Sequence, residues 1–288
     1  MAGTVLYAVR WCGINVVHTA SCMNRERVPV FPLRCAVPLL ATALGLSLLG
    51  SVGGVLVASS LLLFTDRVRT QLVPWLVSYA VGALLAVAFL LLLPEALQSL
   101  PASQVFATLL AGIIAFFLLE KWVVLHHFHH HAEDGHSHDH ATATLVIIGD
   151  AFHNFIDGAT VCAALLSSVP LGVNTAIAVA AHEIPQEVGD VAILLAAGYS
   201  RKRALLLNVV SGLSGVAGAI VAYVAVELVP SVRPFLLAFS SASLMYIAMS
   251  DLIPDLHRGQ SDRSALRQVL LMAAGIATVL LFEGLTEQ

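Results

Sequence analysis

Charge is what this sequence has least of. Only 11% of its 288 residues are Asp, Glu, Lys or Arg, where a soluble domain carries about 25%. A solvated globular surface is excluded, and a soluble enzyme with it. Aromatic residues make up 7%, too few for the stacking platforms that hold single-stranded nucleic acid. Basic residues do not exceed acidic ones (14 against 18, net −4), so no polyanion-binding face is expected and nucleic acid is not a partner. The four cysteines, Cys12, Cys22, Cys35 and Cys162, form no CxxC pair, which speaks against a zinc ribbon and a disulfide framework alike. The tail over residues 1–35 carries Arg10, Arg25, Arg27 and Arg34 without an apolar run and small-residue cleavage site; no secretory signal peptide is expected there. Met23 offers a second start besides Met1.

Apolar residues fill the space that charge leaves: 58% of the chain, with a mean hydropathy of +0.89. A helix crossing a bilayer needs about 20 mostly apolar residues. Eight such runs follow the tail, at roughly 36–64, 74–97, 104–124, 144–168, 172–197, 204–229, 235–254 and 268–285. The expectation is an all-α membrane protein with eight transmembrane helices over 36–288, interrupted by a His-rich loop at 125–143. The loops after the first, third, fifth and seventh runs hold Arg67, Arg69, Lys121, Arg201, Lys202, Arg203, Arg258, Arg263 and Arg267. The positive-inside rule puts these loops in the cytoplasm, both termini outside and the His-rich loop inside. The tail arginines pull weakly the other way. Gly50, Gly53 and Gly54, and Gly212, Gly215 and Gly218, let helices pack closely; packing within the bundle is the plain reading and a dimer face the alternative.

The fourth and fifth runs break the apolar pattern. Asp150, His153, Asn154 and Asp157 lie in one, and His182, Glu183, Pro185, Gln186, Glu187 and Asp190 in the other. An ionised group at the bilayer centre costs about 2.5–3.5 kcal/mol, so several together reach the order of 10 kcal/mol. Neither run contains Lys or Arg to offset this. A bound cation is the natural partner; an interhelical hydrogen-bond network without metal is the bland alternative and leaves too many acids uncompensated. His153 and Asp157 are four apart and share a helical face, which Asp150 can join; His182 and Gln186, and Glu183 and Glu187, repeat that interval. Imidazole with carboxylate suits a first-row divalent ion such as zinc, iron or manganese. Pro185 frees the Ala181 carbonyl from its helical partner, giving an oxygen ligand, a hinge or an ordinary kink. Asp150, Asp190, Asn208 and Asp251 are second-layer or pathway candidates, each weighed against a plain interhelical hydrogen bond.

Eight of the twelve histidines fall within 15 residues: His126, His127, His129, His130, His131, His136, His138 and His140. Such a tract binds metal weakly and without fixed geometry, as a cytosolic buffer or sensor; a dispensable linker is the alternative.

His153-Asn154-Phe155-Ile156-Asp157-Gly158 and His182-Glu183-Ile184-Pro185-Gln186-Glu187-Val188-Gly189-Asp190 resemble the signature of the ZIP (Zrt/Irt-like) metal transporters, most closely the LIV-1 branch. Leu93-Pro94-Glu95-Ala96 and Asp251-Leu252-Ile253-Pro254 resemble family elements at the ends of the second and seventh runs. The resemblance implies a 3+2+3 bundle with inverted repeats around the fourth and fifth helices, and a binuclear metal site between those two. It implies one site of His153, Asp157, His182 and Gln186, and a neighbour of Asn154, Asp157 and Glu183, with Asp157 able to bridge; Glu187 is a further metal-ligand or pathway candidate beside them. It implies transport of a divalent metal into the cytoplasm, zinc first with iron and manganese as alternatives, without catalysis and without a resident cofactor. A homodimer in the lipid bilayer is implied too, in the cell membrane ahead of an organelle. Two positions depart from the pattern: Gln186 stands where the branch usually has His, and Leu91 where the family often has His.

Three other readings compete. A cation-diffusion-facilitator exporter also uses His-x-x-x-Asp on a span, but has six spans and a soluble C-terminal domain. An intramembrane zinc protease would read His182-Glu183-Ile184-Pro185-Gln186 as HExxH, with Gln186 in place of the second histidine. A purely structural membrane protein is the third.

Overall fold

The computed structural model describes residues 6–11, 14–19, 33–61, 66–129, 138–257 and 262–286, with side-chain surroundings for 39–60, 68, 71–121, 146–254, 256–257 and 265–285. Helix dominates. The tail contributes an antiparallel hairpin of β1 (Leu6–Trp11) and β2 (Ile14–Thr19), in register from Leu6 opposite Thr19 to Trp11 opposite Ile14. The remainder is α1 (Leu33–Leu61), α2 (Asp66–Ala86), α3 (Leu93–Ser99), α4 (Ala102–His129), α5 (His138–Ser167), α6 (Val169–Ala196), α7 (Arg201–Gly212), α8 (Ser214–Leu228), α9 (Arg233–Tyr246), α10 (Ile253–His257) and α11 (Asp262–Thr286). Among the described residues, six helical stretches are long and apolar enough to cross a membrane. The 30 residues of α5 and 28 of α6 carry the polar sequence between them.

Two joints are π-helical. Val87–Leu92 links α2 to α3, and Ile247–Leu252 links α9 to α10. In each, a proline follows two residues later, Pro94 and Pro254. Proline has no N–H to give the carbonyl four residues back and its ring crowds that carbonyl. A widened turn just before it relieves both problems, and such turns recur at functional places.

The helices sort into two packed groups. In one, α5 lies against α8 and α6 against α1; in the other, α2 lies against α11 and α4 against α9. Close approach explains the small residues. A Cβ at Gly218 would stand 1.8 Å from the Phe155 carbonyl oxygen, and one at Gly82 2.0 Å from that of Met272. Gly215 and Gly218 therefore serve packing of α8 on α5 within the chain. The core where the groups meet contains the fully buried Leu84, Leu92, Leu237 and Leu244. Outward, α4 exposes Phe106, Leu110, Ile114, Phe117 and Leu118, and α11 exposes Leu266, Val269, Leu270 and Leu281, the apolar coat that a bilayer requires.

Candidate metal centre

The centre lies between α5 and α6, which are antiparallel neighbours. Ser168 sets the turn: its Oγ accepts from the Leu171 N–H at 3.2 Å, and Pro170 occupies the first turn of α6, where its missing N–H costs nothing. α6 then runs unbroken through Pro185. The tight turn brings the two polar stretches to the same depth.

Four side chains converge. His153 Nε2 and His182 Nε2 face each other at 2.9 Å. Asp157 Oδ2 lies 3.0 Å from His182 Nε2 and 3.6 Å from His153 Nε2; Glu183 Oε1 lies 3.6 Å from His153 Nε2 and 3.7 Å from His182 Nε2. His182 Nδ1 sits 3.2 Å from the Ala178 carbonyl. Donation from Nδ1–H to that carbonyl leaves Nε2 with a lone pair directed at the cluster, the usual way a metal-binding imidazole is oriented. Two lone pairs at 2.9 Å repel, so a proton or a cation must lie between the rings. His182 and Glu183 are fully buried, and His153 is 17% exposed, on the wall of a cavity.

A second set shares Glu183. One carboxylate oxygen from each of Asp150, Glu183 and Glu187 lies within 4.8 Å of the others, as do the ligand atoms of the first set. Asp150 is held firmly: Oδ1 accepts from Asn154 Nδ2 at 2.9 Å and from Gln186 Nε2 at 3.2 Å, and Oδ2 accepts from the Ser211 hydroxyl. The amide of Gln186 is thereby turned to Asp150. Asn154 also donates to the Asp150 carbonyl, and its Oδ1 is buried without a partner among the described residues. So are both oxygens of Glu183 and Glu187, both amide atoms of Asn208, and Oδ2 of Asp190.

A cavity of about 850 Å³ reaches this centre from the end of the bundle where α4 finishes and α5 begins. Asp150, His153, Gln186 and Asp190 line one wall, Tyr246 and Asp251 the other. Tyr246 donates its hydroxyl to Glu120 of α4, and Ser250 donates to Asp251 Oδ1 at 3.0 Å. Asp251 is thus a cavity group, on the wall opposite His153. The side chains of His126, His127, His129, His138 and His140, and the whole of His130, His131 and His136, lie outside the described residues; α4 and α5 reach into that stretch from both sides.

Ser211, Glu120 and Tyr246 had no motif to mark them. For Ser211 the usable signal was its place three residues after Asn208, a polar pair on one face of an otherwise small and apolar helix.

Comparisons with known proteins identify the family. The family model described as ZIP Zinc transporter matches residues 126–283. Zinc transporter ZIP13 of Pongo abelii is 36% identical over 222 residues, 72% of this chain and 66% of that protein. Zinc transporter ZIP4 of Mus musculus is 44% identical over 119 residues, 41% of this chain and 18% of that protein. Zinc transporter ZIP10 of Danio rerio is 36% identical over 120 residues, 42% of this chain and 14% of that protein. The chain thus spans under two thirds of the length of these relatives. With more than half of its residues inside the family's own pattern, and the six apolar stretches around them, this chain is an integral, multi-pass membrane protein that belongs to the ZIP family.

Proposed function

We propose that the chain carries a divalent transition metal, zinc first with iron and manganese as alternatives, across a membrane into the cytoplasm, and that it acts as a transporter and not as an enzyme. The observation that carries this reading is the convergence of two imidazole nitrogens and two carboxylate oxygens within 4.8 Å, on two helices that contain no Lys or Arg. A bound cation offsets that buried charge without a Lys or Arg. The relatives named as zinc transporters support zinc as cargo. The ligand set proposed is His153, Asp157, His182 and Glu183, with Asn154, Gln186 and Glu187 beside it. Gln186, whose amide donates to Asp150, leaves an HExxH protease without its second imidazole.

The same reading takes the chain as eight spans in a 3+2+3 arrangement. The matching π-helix and proline at the C-terminal ends of the second and seventh spans support the inverted repeat. The basic loops support a cytoplasmic face at the cavity end and termini outside. The His-rich stretch over 125–143 would then gather or sense metal beside the cavity. A homodimer, and residence in the cell membrane, complete the proposal.

Uptake of radioactive zinc tests it. His153→Ala and Asp157→Ala are expected to abolish uptake while the protein still reaches the membrane, and unchanged uptake in both would remove the site.

A further inference from the structure

The acidic set on the inner side of the centre carries a further step. Asp150, Glu183 and Glu187 share only Glu183 with the neighbour site that the family resemblance implies, Asn154, Asp157 and Glu183. Acidic residues gather in many proteins without an ion. Here they are 4%, 0% and 0% exposed, and all four oxygens of Glu183 and Glu187 lack a hydrogen-bond partner among the described residues. Asn208 on α7, fully buried, turns its amide to Glu187, and neither amide atom has a partner of full hydrogen-bond geometry among the described residues. Buried groups left unpartnered call for a proton, a water or an ion, and three carboxylate oxygens within 4.8 Å of one another suit an ion.

Asp150 differs from its neighbours in being held by three donors. A carboxylate offers about four lone-pair sites, so one remains, in a fixed direction. That is how a ligating carboxylate is usually oriented. Gln186 and Ser211 are the orienting groups, from α6 and α7.

Position along the helices gives the set its role. Asp150 precedes Asn154 by one turn on α5, and Glu187 follows Glu183 by one turn on α6. The two helices are antiparallel, so both steps lead the same way, about 6 Å toward the cavity end. Chemistry separates the two sets as well. The first has two imidazoles and suits zinc; the second has oxygen alone, which suits a harder ion.

We infer that Asp150, Glu183 and Glu187, with Asn208 beside Glu187, form an oxygen-only station for a hard divalent cation, joined to the imidazole set through Glu183. The inference rests on the transport reading for the identity of the cargo. An ion leaving the imidazoles keeps Glu183 as a ligand while it gains Asp150 and Glu187. The softer binding of a borderline ion by oxygen ligands then favours release to the cavity.

The test uses the full chain, purified in detergent and stripped with chelator. Manganese binding is followed by the loss of the free-ion spin resonance signal, and zinc binding by calorimetry. Glu187→Gln and Asp150→Asn are each expected to weaken manganese binding by roughly tenfold or more, the scale on which even an outer partner acts, and to weaken it more than they weaken zinc binding. His153→Ala combined with His182→Ala is expected to do the reverse. In the unmodified chain, one equivalent of zinc should leave manganese binding in place. Unchanged manganese affinity in both acid variants overturns the station, and so does loss of manganese binding on the first equivalent of zinc, which needs no variant to fold. Failure of the unmodified chain to bind zinc would instead overturn the transport reading.

Discussion

In the proposed centre, Gln186 is the residue on which metal choice would turn. Its Nε2 donates to Asp150 Oδ1 at 3.2 Å, so it orients a carboxylate and offers no nitrogen lone pair to the imidazole pair. Replacing it with histidine would supply a third imidazole at the same helical interval from His182. Zinc gains more from an added nitrogen than manganese does. Gln186→His is therefore expected to raise the preference for zinc over manganese, read by competition between the two ions in uptake. A variant with unchanged competition would put the side chain outside the coordination sphere. The residues proposed as ligands were legible because ionisable groups in apolar helices stand out against their neighbours. Ser211 was not, since its contact with Asp150 joins positions 61 apart in the chain and a serine in a transmembrane helix is unremarkable.

At the scale of elements, the apolar runs place the helices well. The run expected at about 204–229 is two helices, α7 and α8, meeting at Leu213. There the Ser214 hydroxyl donates to the Ala151 carbonyl of α5. The π-helical joints were illegible, because an i→i+5 turn differs from an α turn by one backbone partner. Only the following proline hints at it. The glycine pattern could be read as close packing but not assigned a partner, and α8 against α5 supplies it. Gly218→Leu drives a side chain into the Phe155 carbonyl, whose distance from an added Cβ is 1.8 Å. Overpacking of this kind costs about 1–3 kcal/mol or more, and it shifts the helix that bears Asn154 and Asp157. Lower thermal stability and reduced uptake are expected together. Gly45→Ala, whose Cβ meets nothing within 4 Å, should keep both.

The whole molecule is asymmetric along the bundle axis. At one end the 850 Å³ cavity separates the two helix groups. Toward the other end they are tied together: Thr160 donates to Ser240 at 2.9 Å, Arg233 to the Leu166 carbonyl at 3.2 Å, and Asn174 to Glu283 at 3.0 Å. Each tie joins α5 or α6 to α9 or α11, across the boundary between groups. Among the described residues the cavity opens His153 toward one end, which the proposed orientation, with the basic loops inside, makes the cytoplasmic end. Ile193 lines the cavity wall and reports on access without being a ligand. In a chain whose four native cysteines are replaced by serine, Ile193→Cys is expected to react with a membrane-impermeant maleimide in inside-out vesicles and to be protected in right-side-out ones. Bound zinc should slow the reaction by occupying the end of the cavity. Labelling from the opposite face would reverse the orientation drawn from the basic loops, and equal labelling from both would mean that the three ties do not hold the far end closed.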